Sequence, residues 1–247
     1  MKNKLLTIKK KHSGRDSQGH VSVRHRGGEH KRFLRPVDWK RNKIDVKAKV
    51  IAIEYDPNRS ANIAYLSYED GSKSYILATA NLKVGDSVVS SPKAPIKEGN
   101  RLPLKNIPVG TPINCLEFQA GRGAQIIKSA GSAAFIQSID VNKVTIKLPS
   151  GELRLFPGDA CATIGQIGNV DHSNIKLVKA GDSRHRGIRP TVRGVAQNPR
   201  SHAHGGGEGR SSIGMNPKTP WGKPAMGKKT RKHKKSSNKL IIQRRKK

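Results

Sequence analysis

A chain of 247 residues holds one large domain or two small ones, and five- or six-stranded barrels of roughly 70 residues each make two the better fit. Its 49 Lys and Arg against 17 Asp and Glu leave a charge of +32, a surplus matched to a polyanion, nucleic acid first. Apolar residues at 34% and aromatics at 4% exclude one core running the whole length, and no apolar run nears the ~18 residues that cross a bilayer.

Residues 1–34 carry 10 basic and 2 acidic side chains and read as a basic N-terminal extension. Met1–Lys11 lacks the apolar centre of a signal peptide, so the protein is expected to remain where it is made. In Arg24–Arg32 (RHRGGEHKR), Arg24, His25 and Arg26 precede Gly27 and Gly28. The glycines let the backbone come close to phosphates that the flanking side chains neutralise, against the plainer reading of a solvated charge run.

Residues 35–180, with 20 basic and 13 acidic side chains, are balanced enough to fold, and they read as β throughout. In Val46–Tyr55, Val46, Ala48, Val50 and Ala52 share one face while Lys47 and Lys49 point away, the period of a strand. Tyr55–Ala61 (YDPNRSA) follows, with turn chemistry at Asp56-Pro57-Asn58 that projects Arg59 from a barrel rim. Further strands are expected at Ala61–Tyr68 and Lys73–Ala78, joined through Asp70-Gly71, and then at Ser87–Val89, Ile113–Phe118 and Ala133–Ile139. Lys143–Leu148 and Glu152–Phe156 make another hairpin through Pro149-Ser150-Gly151. Short strands at this spacing, without a long 3.6-residue period, indicate two small antiparallel barrels. Pro103, Pro108 and Gly110 interrupt pairing within Asn100–Thr111, which divides 35–105 from 106–180. Cys115 and Cys161 have no CxxC spacing and read as two buried, reduced thiols.

Residues 181–247 hold 19 basic and 2 acidic side chains, ten Gly and one aromatic, Trp221, and cannot build a core of their own. They read as an extended tail that spans roughly 220 Å at about 3.3 Å per residue. In Arg184–Arg193 (RHRGIRPTVR), Gly187 and Pro190 break any helix, leaving Arg184, Arg186, Arg189 and Arg193 as an extended strip of guanidinium forks suited to phosphate. Ser201–Arg210 (SHAHGGGEGR) pairs His202 and His204 before Gly205, Gly206 and Gly207. A metal site lacks further ligands nearby, and a phosphate loop lacks its Lys-Ser/Thr ending and its strand and helix. A backbone pressed against RNA, flanked by His that stack or donate, fits best. Gly227–Lys235 (GKKTRKHKK) is mostly Lys and suits nonspecific neutralisation.

Several motifs together resemble the universal large-subunit ribosomal protein L-two family, of bacterial or organellar type. They are Arg24-His25-Arg26-Gly27-Gly28-Glu29-His30-Lys31, Tyr55 to Ala64 (YDPNRSANIA), Asn106 to Gly110 (NIPVG) and Arg186 to Gly194 (RGIRPTVRG). His204 to Arg210 (HGGGEGR) and Thr219-Pro220-Trp221-Gly222 continue the series in order. The resemblance implies an all-β chain, an OB-like barrel at 35–105 followed by an SH3-like barrel at 106–180, with long basic non-globular extensions entering large-subunit rRNA. It also implies early rRNA binding, contact with other ribosomal proteins and with small-subunit rRNA at the subunit interface, tRNA binding and support of the peptidyl transferase centre. Neither enzyme activity, cofactor, metal nor membrane partner is expected.

The sequence departs from the family pattern in four places. The segment before Arg24 is shorter than in bacterial relatives, which suggests a reduced bacterium's cytoplasm or a mitochondrial or plastid matrix as the compartment. Lys128 stands before Ser129-Ala130-Gly131 where Arg is common, keeping the charge but losing the fork. His185 replaces a common Trp with a smaller stacking face, and Ser201-His202-Ala203-His204 replaces Asp-His-Pro-His, which weakens any acid-base role for His202. A nonspecific DNA-compacting protein is the alternative: it shares the charge but needs neither the Arg strip nor the Gly tract.

Overall fold

The computed structural model describes residues 5–245. They fall into two units, one made of Met1–Lys9, Lys31–Lys176 and Ser236–Lys247, the other of Lys10–His30 and Leu177–Lys235.

In the first unit the alternating pattern becomes paired strands. Strands β1 (Thr7–Ile8) and β2 (Phe33–Leu34) form an antiparallel pair. β3 (Ala48–Glu54), β4 (Ile63–Tyr68), β5 (Lys73–Leu77) and β6 (Ser87–Val88) form a four-stranded sheet in the order β5-β4-β3-β6. Ala48 and Val50 are buried while Lys47 and Lys49 are exposed, as the period of two requires. The register then shifts between Val50 and Ala52, an inserted residue that bends the strand. The expected hairpin turn is present: Gly71 adopts φ +77° and its N–H donates to the Tyr68 carbonyl at 3.0 Å.

A seven-stranded antiparallel sheet follows, built from β7 (Arg101–Pro103), β8 (Pro112–Asn114), β9 (Ala134–Ile139), β10 (Lys143–Lys147), β11 (Leu153–Pro157), β12 (Cys161–Ile164) and β13 (Ile241–Gln243). Its order is β13-β11-β10-β9-β8-β12-β7. The chain is all-β, with curled sheets that fit barrel-like domains and a single six-residue α-helix among the described residues. No helix among them is long and apolar enough to cross a membrane.

Four expectations are corrected. The strand expected over Ile113–Phe118 stops at Asn114, because Cys115 turns the chain at φ +48° and only a single bridge, Leu116 to Ile126, follows. Cys115 is buried, but Cys161, on β12, is only partly so. Part of the segment read as tail is sheet: β13 pairs with β11 from Leu153 to Arg154. Strand β7 was not expected because it contains Pro103, yet it lies at the sheet edge, where a missing N–H costs no ladder bond.

Three apolar clusters hold this unit. One fills the seven-stranded sheet around Leu102, Leu104, Ile113, Ile146 and Phe156. Another fills the four-stranded sheet around Val50, Leu66, Ile76 and Val88. Because β4 and β5 also bury their opposite faces, Ile63, Tyr75 and Leu77 join Ala61, Cys115, Ala124 and Ile167 in a third cluster. Trp39 and Ala130 pack on that cluster, which places the Arg59 and Lys128 loops beside each other.

The second unit contributes no residue to any of these clusters, as its composition requires. The helix α1 (Ala180–His185) opens with the Lys179 N–H donating to Asp182 Oδ2 at 3.3 Å, and Arg184 and His185 occupy its last turn. Ile188 N–H then donates to the Ser183 carbonyl and Gly187 N–H to that of Arg184, a Schellman ending with Gly187 at φ +88°. Residues 184 and 185 are therefore helical, which corrects the extended strip read from the sequence: Gly187 ends a helix rather than preventing one.

Candidate nucleic-acid interface

Arg59 was expected to project from a turn, and the turn is there, but the side chain is held back. Asp56 is fully buried, and its Oδ1 accepts from the Asn58 backbone N–H at 2.9 Å and side-chain Nδ2 at 3.1 Å. Its Oδ2 accepts from Arg59 Nε at 2.6 Å, leaving the Arg59 side chain 20% exposed. Burial pushes the Asp56 carboxyl up, and the bonds from Arg59 and Asn58 outweigh that and hold it below the usual carboxylate range.

The next residue ties this turn to the Lys128 loop. Ser60 Oγ accepts from the Ala130 N–H at 3.1 Å, and the Ser60 carbonyl accepts from Asn169 Nδ2 at 2.6 Å. Arg59 and Lys128 thereby meet over one aromatic ring: Arg59 Cζ lies 5.4 Å and Lys128 Nζ 4.7 Å from the Trp39 centroid. Trp39 is pinned from below, its carbonyl accepting from Ala124 N–H at 2.8 Å and from Arg101 Nη1 at 3.1 Å. Arg101 in turn is paired with Glu117 at 2.6 Å, both buried. Glu117 also accepts from the N–H groups of Gly121, Gly123 and Cys161, so this buried pair is fully hydrogen-bonded. Burial pushes the Cys115 thiol up to about 11, although Arg101, Arg41, Lys128 and Arg59 all draw it down. Trp39 and Glu117 were missed in the sequence; a Trp next to Lys40-Arg41 in an aromatic-poor chain was the available signal.

In the second unit the structure joins two motifs that the sequence showed apart. Gly27 N–H donates to the Gly187 carbonyl at 2.9 Å, Arg189 N–H to His25 at 3.0 Å and His30 N–H to His185 at 3.1 Å, with an antiparallel bridge between Arg26 and Ile188. The rings of His30 and His185 lie 4.3 Å apart, so the face of His185 is occupied by this chain. Arg24, Arg26, Arg186, Arg189 and Arg193 are exposed around this pairing, while Arg184 is half-buried. The unit carries 20 Lys and Arg against 4 Asp and Glu.

The glycines read as places of close RNA approach mostly accommodate the chain itself. A Cβ on Gly27, at φ +127°, would lie 3.0 Å from Ser13 Cβ, and one on Gly205 only 2.3 Å from the Asn198 carbonyl oxygen. Added carbons on Gly206 and Gly207 would meet Pro199 and Ser211, whereas one on Gly28 would make only ordinary contact with Arg184. His202 Nδ1 accepts from the His204 N–H at 3.0 Å and His204 Nε2 from the Lys218 N–H at 2.9 Å, with the rings 4.9 Å apart. Both rings act as acceptors that shape the loop. Gly194 lies flat against His202, since a Cβ there would come within 2.5 Å of the ring. Arg210 is exposed, and Trp221 is 73% exposed on a turn closed by Gly222 N–H to Thr219. Among the described residues no group of three or more His, Cys, Asp or Glu is arranged to hold a metal.

The model of Ribosomal Proteins L2, RNA binding N-terminal domain, matches residues 2–90, and that of Ribosomal Proteins L2, C-terminal domain, matches residues 97–222. The chain belongs to the ribosomal protein L2 family. An L2 chain is a structural, RNA-binding component of the large ribosomal subunit, so this protein resides in the ribosome and binds RNA there. The Arg59 turn lies in the L2 N-terminal match and Lys128 in the C-terminal one, so the ring of Trp39 gathers a cation from each.

Proposed function

We propose that this L2 protein is a primary binder of large-subunit rRNA that helps join the two subunits, contacting small-subunit rRNA at their interface, and supports tRNA binding and the peptidyl transferase centre without turning over a substrate itself. The observation that carries the reading is the second unit: a segment with 20 basic and 4 acidic side chains and no share of any apolar cluster needs a polyanion around it. In this reading Arg59 and Lys128 hold phosphates at the barrels. Arg24, Arg26, Arg184, Arg186, Arg189, Arg193 and Arg210 do so along the second unit, with His25, His202, His204 and Trp221 adding hydrogen bonds or stacking faces. The motif resemblance supports a bacterial cytoplasm or an organelle matrix as the compartment.

Reconstitution tests this directly. Large subunits assembled with full-length protein should sediment as complete particles, join small subunits and form peptide bonds. Particles lacking it should fail at assembly or joining. Equal affinity for random duplex DNA and for large-subunit rRNA at matched salt would instead favour a DNA-compacting protein.

A further inference from the structure

We propose that Trp39 is a positioning residue that holds Arg59 and Lys128 together as one two-cation site for an RNA phosphodiester. The inference rests on the reading of those two side chains as rRNA contacts.

Three observations carry it. Both cations lie within 5.4 Å of the same indole centroid, although they come from loops joined across a sequence separation of 70 by the Ser60 and Ala130 hydrogen bond. The Trp39 backbone is fixed and its side chain packs on the third cluster: the Trp39 carbonyl holds two donors, and Gly123, at φ +82°, lies so close that an added Cβ would be 3.1 Å from that oxygen. Lys128 is aimed by its backbone, because the preceding Ile127 is a buried, β-branched residue at φ +56° whose carbonyl accepts from Cys115 N–H at 3.0 Å. That conformation is strained and survives only where packing enforces it, as happens at binding sites.

Charge favours an anionic ligand here. Asp56 engages Arg59 through Nε alone, which leaves the terminal guanidinium nitrogens without a carboxylate partner among the described residues. No carboxylate among the described residues pairs with Lys128. Two cations on one ring repel each other, and the ring's electron-rich face offsets this only in part. A phosphate between them removes the repulsion and accepts from both, and the site's single point charge and single fork suit backbone recognition more than base reading.

The test uses the full chain and a large-subunit rRNA transcript, with binding measured across a salt series. Replacing Trp39 by Leu should weaken binding about tenfold and flatten the dependence of log affinity on log salt by the equivalent of one to two phosphate contacts. Trp39→Phe, which keeps a ring, should restore most of both. An unchanged salt slope in Trp39→Leu, or a Phe variant no better than Leu, overturns the proposal. The Arg59→Gln, Lys128→Gln double variant separates the two levels: if its slope equals that of the parent, the rRNA reading of the pair fails, whatever Trp39 does. A second readout covers poor folding of the Leu variant. In protein labelled with 5-fluorotryptophan, the Trp39 resonance, assigned by its absence from Trp39→Phe, should shift when rRNA binds and stay fixed in the double variant. No shift in the parent protein overturns the inference.

Discussion

At the scale of single residues, the structure is decided by carboxylates that organise cations. Asp56 is the example with a pH signature. Its carboxyl is held below the ordinary range, so the Asp56 to Arg59 latch stabilises the fold fully above the unfolded value of about 3.9 and is lost as pH falls through the lower folded value. Asp56→Asn should therefore flatten the acid limb of a melting-temperature profile below about pH 4. Arg59→Ala should weaken rRNA binding and also destabilise the free protein by about 1–3 kcal/mol, because the buried Asp56 loses its charged partner; equilibrium urea unfolding measures the second effect. Glu117→Ala should cost more, about 3–5 kcal/mol, since it strands the buried Arg101 and frees the carbonyl anchor beneath Trp39. None of this was legible in the residues alone. Asp56 and Arg59 could be read as a turn, but the direction of a side chain at a turn depends on which buried acceptor it finds, and Glu117 and Trp39 sit in loops where no period marks them.

At the scale of elements, burial patterns served well where one face was buried and poorly where chain ends or edges were concerned. The strands at Ala48–Glu54, Ala134–Ile139 and Lys143–Lys147 follow directly from alternation, and those at Ile63–Tyr68 and Lys73–Leu77, buried on both faces, from their apolar runs either side of the Gly71 turn. Short strands such as β7, β12 and β13 did not stand out, because three or four residues carry too little periodicity and their pairing depends on distant partners. The helix at Ala180–His185 was hidden by the glycine that ends it. Gly187→Ala should cost about 1–2 kcal/mol in that region, from the left-handed backbone and from a Cβ that would lie 2.7 Å from Glu29 Oε2. Faster hydrogen exchange at the Ile188 and Gly27 amides, with the β4 amides unchanged, is the expected signature.

For the whole molecule, composition foretold the division between a part that folds on apolar clusters and a part that does not, but missed that residues 10–30 and 177–235 belong together. That association runs through backbone hydrogen bonds around Gly27 and Gly187, which leave no trace in hydropathy. A peptide of residues 177–235 should accordingly give a collapsed amide spectrum by NMR, lacking both a core and its N-terminal partners, and should gain dispersion with rRNA; dispersed peaks from the free peptide would contradict this. The return of Ile241–Gln243 to the edge of β11 bears on assembly. A basic segment fixed to a folded body at both of its ends is a loop without a free tip, so it cannot be threaded through a finished RNA channel like a lace through an eyelet. In the proposed reading as an rRNA binder, RNA would close around it sideways, with protein docking expected first and compaction of the surrounding helices afterwards.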